Sequence, residues 1–179
     1  MDLLRDDRRD AEFTAFVRSR GTSLSRAAFY LCGDVHKAQD LVQVALTKTY
    51  VAWPTARRMD PYAYARRVLV NSNIDSWRRR RWRETPGIDA DVHPAPPAPD
   101  LIGRVADRQL LVAALLTLTQ RERAVLTLRF FEDLSERDTA QVLGVGVGTV
   151  KSTSSRALAK LRLHSSLHHD DQEISHAHH

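Results

Sequence analysis

Apolar residues recur at intervals of three and four through two long stretches of this chain, the spacing of helices that bury one face. The first stretch covers residues 11 to 82 and contains few helix breakers; the second covers 101 to 164. Between them lies RETPGIDADVHPAPPAPD, residues 83 to 100, which holds five of the seven prolines and almost nothing that could build a core. That composition predicts an extended, semi-rigid linker. From Ser165 onward the chain is polar and rich in histidine, so 165–179 is expected to be a disordered tail. Short apolar runs such as LLVAALLTL sit in longer windows flanked by arginine and glutamine, which favours helix over strand. The expectation is an all-α protein of two small helical domains, 1–82 and 101–164. Each can bury only a limited core and is marginally stable alone.

Helix boundaries are most legible in the second stretch. Thr119 followed three residues later by Glu122 forms a capping-box pattern, and Ser135 with Asp138 repeats the spacing. The short helix opened by Ser135 ends at Leu143, where Gly144 can take the left-handed conformation that stops a helix cheaply. After Val145 and Gly146, a second helix is expected from about Val147 to Leu163. Two helices joined by a tight glycine-containing turn match a helix-turn-helix. Sorted by 100° steps, Val147, Val150, Ala157, Leu158 and Leu161 fall on one side and should pack inward. Thr149, Ser152, Ser155 and Arg156 fall opposite, with Lys151 on the flank and Ser154 near the buried side. The outer face offers hydroxyls and a guanidinium with no bulky apolar group to obstruct a major groove. An ordinary amphipathic hairpin would also carry a polar outer face.

In the first stretch, the helix from Pro61 has apolar residues on two sides: Tyr64, Ala65, Val68 and Leu69, then Val70, Ile74 and Trp77. A helix of that kind is usually sandwiched between others. Trp77 is then a core residue, or else Trp77 or Trp82 stacks on an unpaired base. Charge sharpens the picture. The formal net charge is only +5, but Arg78, Arg79, Arg80 and Arg81 form an unbroken run with Arg66, Arg67 and Arg83 nearby. A concentrated basic surface favours a polyanion such as nucleic acid or an anionic membrane, against the plainer reading of a solvated charged face.

Other chemistry narrows the field. Cys32 is the single cysteine, which excludes an intramolecular disulfide, and next to Tyr30 and Leu31 it reads as a small buried apolar residue. No apolar stretch approaches the roughly 20 residues needed to span a bilayer, and the N-terminus lacks the apolar run of a secretion signal. A cytoplasmic protein without membrane insertion is expected. The tail histidines His168, His169, His176, His178 and His179 have no rigid spacing, so no metal and no cofactor is expected. No strand precedes Gly144, Gly146 and Gly148, and no Lys-Ser/Thr follows them at the spacing of a phosphate loop. With no paired carboxylates or nucleophile elbow, the chain is not expected to be an enzyme.

The stretch LTQRERAVLTLRFFEDLSERDTAQVLGVGVGTVKSTSSRALAKLR resembles region 4 of extracytoplasmic-function (ECF) sigma factors, more narrowly the actinobacterial SigE-like branch. AQDLVQVALTKTYVAW resembles the polymerase-binding helix of region 2, and DPYAYARRVLVNSNIDSWRRRRW its promoter-melting helix. The resemblance implies that Lys151, Ser152, Thr153, Ser155 and Arg156 read the −35 element, together with Thr149 from the face sorting above. It implies that Asp40 and Gln43 meet the β′ clamp helices of RNA polymerase, and that Asn71 helps hold a base flipped from the −10 element. The loop Thr55–Asp60 matches the loop that forms the base pocket. Arg57, Arg58, Arg66 and the run Arg78 to Arg81 complete the set expected at the −10 element and its backbone. Val44 departs from the family, which usually has an acidic residue there.

The function implied is a promoter-specificity subunit of core RNA polymerase, with promoter DNA and the β flap as further partners. ECF relatives often have an anti-sigma inhibitor. Two alternatives stand beside it: a conventional helix-turn-helix regulator of duplex operators, and a decoy that binds polymerase without melting DNA.

Overall fold

A computed structural model describes residues 3–83 and 104–176, with side chains placed for 7–76 and 110–163. The linker and the side chains of Trp77 and Arg78 to Arg81 lie outside the described set. Helices dominate the described residues and no strand occurs among them, as the pattern predicts. The chain divides into two units, Met1–Asp91 and Val92–His179.

The first unit is built from α1 (Leu3–Cys32), α2 (Val35–Val51), the single turn α3 (Trp53–Ala56) and α4 (Pro61–Arg83). α2 packs on both α1 and α4, and α1 also meets α4. The seam consists of Leu24, Ala27, Ala28 and Leu31 from α1, Ala38, Leu41 and Ala45 from α2, and Ala65, Leu69 and Val70 from α4, all buried. Alanine at these contacts lets helix axes approach closely. α1 ends at Gly33, whose φ of 68° is left-handed and whose N–H reaches Phe29 O at 2.7 Å. The next residue, Asp34, caps α2 by accepting from Lys37 N–H at 2.8 Å. That bond, with help from the Lys37 and His36 charges, holds its carboxyl below the usual range against the opposing effect of burial. Cys32 is half-buried, not fully enclosed; its Sγ–H lies 3.1 Å from Ala28 O and 3.3 Å from Asp34 O.

The second unit contains α5 (Arg104–Leu116), α6 (Gln120–Leu126), a π-helical turn (Thr127–Phe131), α7 (Glu136–Leu143) and α8 (Val147–His176). Both expected caps form. Thr119 N–H donates to Glu122 Oε2 at 2.9 Å while Glu122 N–H donates to Thr119 Oγ1 at 3.3 Å. Ser135 Oγ accepts from Asp138 N–H at 3.0 Å. Gly144 has φ 64°, and Val145 N–H returns to Ala140 O at 3.0 Å, closing α7. Val125, Ala140 and Val150 form the centre of the unit, with Leu143 and Val145 against them.

Three expectations need correction. α1 begins at Leu3, ahead of residue 11, helped by pairs such as Arg8 Nε to Glu12 Oε1 at 3.1 Å one turn apart. α8 does not stop near Leu163 but continues to His176, through the segment expected to be a disordered tail. No glycine or proline follows Gly148, so nothing local ends the helix. Val147, expected to pack inward, is 40% exposed because it stands at the open start of α8.

Candidate nucleic-acid interface

The turn between α7 and α8 aims α8. Gly146 O accepts from Thr149 N–H at 3.0 Å and Val150 N–H at 3.2 Å, starting the helix without a side-chain cap. Val150 and Ala157, both fully buried, pin one side of α8 to the unit. Lys151, Ser152, Ser155 and Arg156 stand exposed on the other, and Thr149 is half-buried at the edge. Arg156 Nε–H donates to Ser152 O at 3.3 Å, and Ser152 Oγ–H to Thr149 O at 3.2 Å, so the polar side chains lie along the helix surface. Lys151 Nζ sits 3.7 Å from Glu136 Oε2 at the start of α7.

Thr153 does not join this face. It is 3% exposed, one turn from Val150 and one turn from Ala157, so it belongs to the buried stripe. The hydroxyl expected to touch DNA is enclosed within the unit.

In the first unit, α4 buries one side and leaves the other accessible. Ala65, Leu69 and Val70 are enclosed, and Asn73 with them at 2% exposure. Tyr64 and Val68, expected beside Ala65 and Leu69, and Ile74, expected beside Val70, are half-buried, so each expected apolar side is enclosed only in part. Asn71 is exposed on the accessible side of α4, with Arg67 and Val68 one turn before it and Ile74 and Asp75 one turn after. Arg66 points elsewhere. It is half-buried, with its guanidinium 5.5 Å from the Tyr62 ring, and Arg20 from α1 stands 5.3 Å from the same ring. Arg67 is the cation adjacent to Asn71. The sequence marks it only as part of the basic cluster, although its i−4 spacing was the available signal.

The loop from Thr55 to Asp60 is held at both ends. Arg57 N–H returns to Trp53 O at 3.0 Å and Met59 N–H to Ala56 O at 3.2 Å. Asp60 Oδ1 accepts from Tyr62 N–H at 2.9 Å and Ala63 N–H at 3.1 Å, capping α4. Arg58 is exposed and Met59 is 79% exposed at the loop's outer edge. Arg57, expected on DNA, is bound to Glu12 Oε2 at 2.9 Å. Arg57 and then Arg8 lower the Glu12 pKa more than burial raises it.

α2 buries Ala38, Leu41, Ala45 and Thr49 and turns Asp40, Gln43 and Val44 outward. Val44 is 40% exposed and Val51, further along the same side, 72%. This face mixes one carboxylate and one amide with exposed apolar surface, the composition of a protein contact more than of a DNA contact.

Among the described residues, no three His, Cys, Asp or Glu side chains gather as a metal site would require. No described helix is long and apolar enough to cross a membrane.

Two helical units, one carrying a glycine-joined helix-turn-helix with an exposed basic face, define a DNA-binding protein of two modules. Comparison with known proteins carries this further. Residues 16–83 match sigma-70 region 2 and residues 108–161 match sigma-70 region 4. The RNA polymerase sigma-E factor of Streptomyces coelicolor is 42% identical over 84% of this chain and 84% of its own length. The ECF RNA polymerase sigma factor SigL of Mycobacterium tuberculosis is 34% identical over 78% of this chain and 81% of its own. Among solved structures, the sigma factor RpoE in complex with the anti-sigma factor NepR from Bartonella quintana is 28% identical, with a TM-score of 0.66. It covers 84% of this chain and 94% of that one. The chain belongs to the sigma-70 family of RNA polymerase sigma factors, within its extracytoplasmic-function group.

Proposed function

We propose that this chain directs core RNA polymerase to promoters by dividing the work among three surfaces. The outward face of α2, with Asp40, Gln43 and Val44, docks on the polymerase clamp. The α4 face around Asn71, with Arg67, Arg58 and the loop 55–60, receives the opened −10 element. The α8 face of Lys151, Ser152, Ser155 and Arg156, with Thr149 at its edge, reads the −35 element in the major groove. The run Arg78 to Arg81 continues α4 along the phosphate backbone, adding affinity without sequence choice. The observation that carries this reading is the exposed Asn71 face on one unit and the exposed Lys151–Arg156 face on another, in a single chain of this family.

Flipping a base costs a few kilocalories per mole in lost stacking and pairing. Two small units gain enough binding to offset that only when polymerase holds both on the promoter together. Isolated chain therefore binds promoter DNA weakly, and the protein performs no catalytic step of its own. The Bartonella relative is held by an anti-sigma factor, which supports an inhibitory protein partner here also. The place of action is the cytoplasm, where polymerase works.

The test adds purified chain to sigma-free core polymerase on a promoter library. Transcripts that appear only with the chain support the proposal. Duplex binding that is independent of core points to an operator-binding regulator, and core binding without transcripts points to a decoy.

A further inference from the structure

We infer that Glu12 on α1 is a positioning residue for the 55–60 loop, and that it sets the fidelity of −10 reading by holding Arg57 away from DNA. The inference rests on the assignment of that loop to the −10 element. Glu12 lies 45 residues before Arg57, yet its carboxylate gathers three donors from three directions. Arg57 Nη1 is at 2.9 Å, Arg8 Nε at 3.1 Å and Trp53 Nε1 at 3.4 Å. Arg8 lies one helical turn before it and fixes the carboxylate from the α1 side. Trp53 is 4% exposed and meets Phe13 edge-on at 5.2 Å and Phe16 at 5.5 Å, so the start of the loop is set rigidly against α1.

Backbone bonds and Asp60 fix the loop's two ends and Trp53 sets its start against α1, while past Ala56 the side chain that ties the loop to α1 is Arg57. The Glu12–Arg57 contact supplies that sideways tie, and the directions in which exposed Arg58 and Met59 project follow from it. A second consequence is electrostatic. An arginine beside melted DNA would bind any phosphate and raise affinity for every sequence alike. Paired with Glu12, Arg57 gives the loop its shape without that indiscriminate attraction.

The test uses full-length chain with core polymerase and reads run-off transcription from promoters that differ only within the −10 element. Glu12→Gln is expected to reduce discrimination between the best and the substituted −10 sequences about two- to fivefold, the range of a half-exposed ion pair. Core affinity and preference among −35 variants should not change, which shows that both units remain folded. Arg57→Gln should lose discrimination through the loop's shape alone, so its loss should be no larger than that of Glu12→Gln, and the double variant should match Arg57→Gln. Exchanging the charges, Glu12→Arg with Arg57→Glu, should restore part of the discrimination. If Glu12→Gln leaves −10 discrimination intact while Met59→Ala alters it, the loop reads DNA and the anchoring role is wrong. If neither variant alters it, the loop assignment falls as well. If Arg57→Gln weakens all promoters equally, Arg57 is a direct phosphate contact and the inference is overturned.

Discussion

Lys160 Nζ lies 2.9 Å from Glu122 Oε1, so the recognition helix α8 is joined to the residue that closes the cap of α6. Glu122 therefore serves two elements at once, since its other oxygen accepts from Thr119 N–H at 2.9 Å. Burial pushes its carboxyl up, but the Lys160 ammonium and the Thr119 hydrogen bonds outweigh that and hold its pKa below the ordinary range. Lys160 is half exposed, so solvent weakens the pair itself, and the cap carries most of the value.

Glu122→Ala, which removes the acceptor of Thr119 N–H, is expected to destabilise the second unit by about 1 kcal/mol, the usual worth of a cap. A carboxylate with a lowered folded pKa contributes stability that is present above its unfolded pKa and is lost as pH falls through the folded one. Acid should thus loosen α6 and α8 in the native chain more than in the variant. Amide exchange in α6 and α8 of full-length protein, followed from neutral to acid pH, checks both statements. Identical acid profiles would show that Glu122 does not carry the effect.

Gly144 and Gly148 should respond oppositely to alanine. Gly144 has φ 64°, so a side chain there is strained even though open space surrounds it. Gly144→Ala is expected to cost about 1–2 kcal/mol. Gly148 is helical, and an added Cβ meets nothing within 4 Å, so Gly148→Ala should leave stability unchanged or raise it. Its methyl would nevertheless stand on the exposed side of α8. Thermal melts paired with promoter binding by the polymerase complex separate the two effects.

Arg156→Ala should reduce −35 discrimination by about 1–3 kcal/mol, the worth of a bidentate base contact, and leave core affinity intact. Glu136→Gln should act in the other sense. It releases Lys151 from its partner at 3.7 Å, so affinity should rise for every −35 sequence and fall more steeply with salt. Salt titrations of the assembled complex on matched and mismatched promoters measure both. An unchanged promoter preference in Arg156→Ala would remove that residue from the reading face.

Asn71→Ala should slow strand opening after normal docking by roughly fivefold, the kinetic equivalent of one lost hydrogen bond of about 1 kcal/mol. Arg67→Gln should weaken the salt dependence of the same step and leave base choice alone. Permanganate footprinting over time follows the bubble directly. Undiminished reactivity in Asn71→Ala would refute its role in melting.

Much of the fold was legible because its signals are local. Thr119 and Glu122, Ser135 and Asp138, and Gly144 act within four residues of themselves, so spacing alone predicts where α6 and α7 begin and where α7 ends. The exposure of Ser152, Ser155 and Arg156 also followed from helical steps, because one side of α8 is plainly apolar. The same periodicity held the clue to Thr153, which stands one turn from Val150 and from Ala157, and a stricter use of it would have placed that hydroxyl inside. Arg66 and Arg67 are harder to separate. They are consecutive arginines, the first one turn after Tyr62 and the second one turn before Asn71, and the packing of α1 and α2 against α4 decides which is half-buried and which exposed.

By itself, then, the sequence determined the helical class, the caps, the turn before the recognition helix and the two-part organisation, since all of these depend on neighbours along the chain. The tertiary structure decided which charges are engaged. Glu12 meets Arg57 across 45 residues and Glu122 meets Lys160 across 38, and no spacing rule connects them. A charge acts on whatever lies a few ångströms away in space, and that distance exists only after the helices have packed.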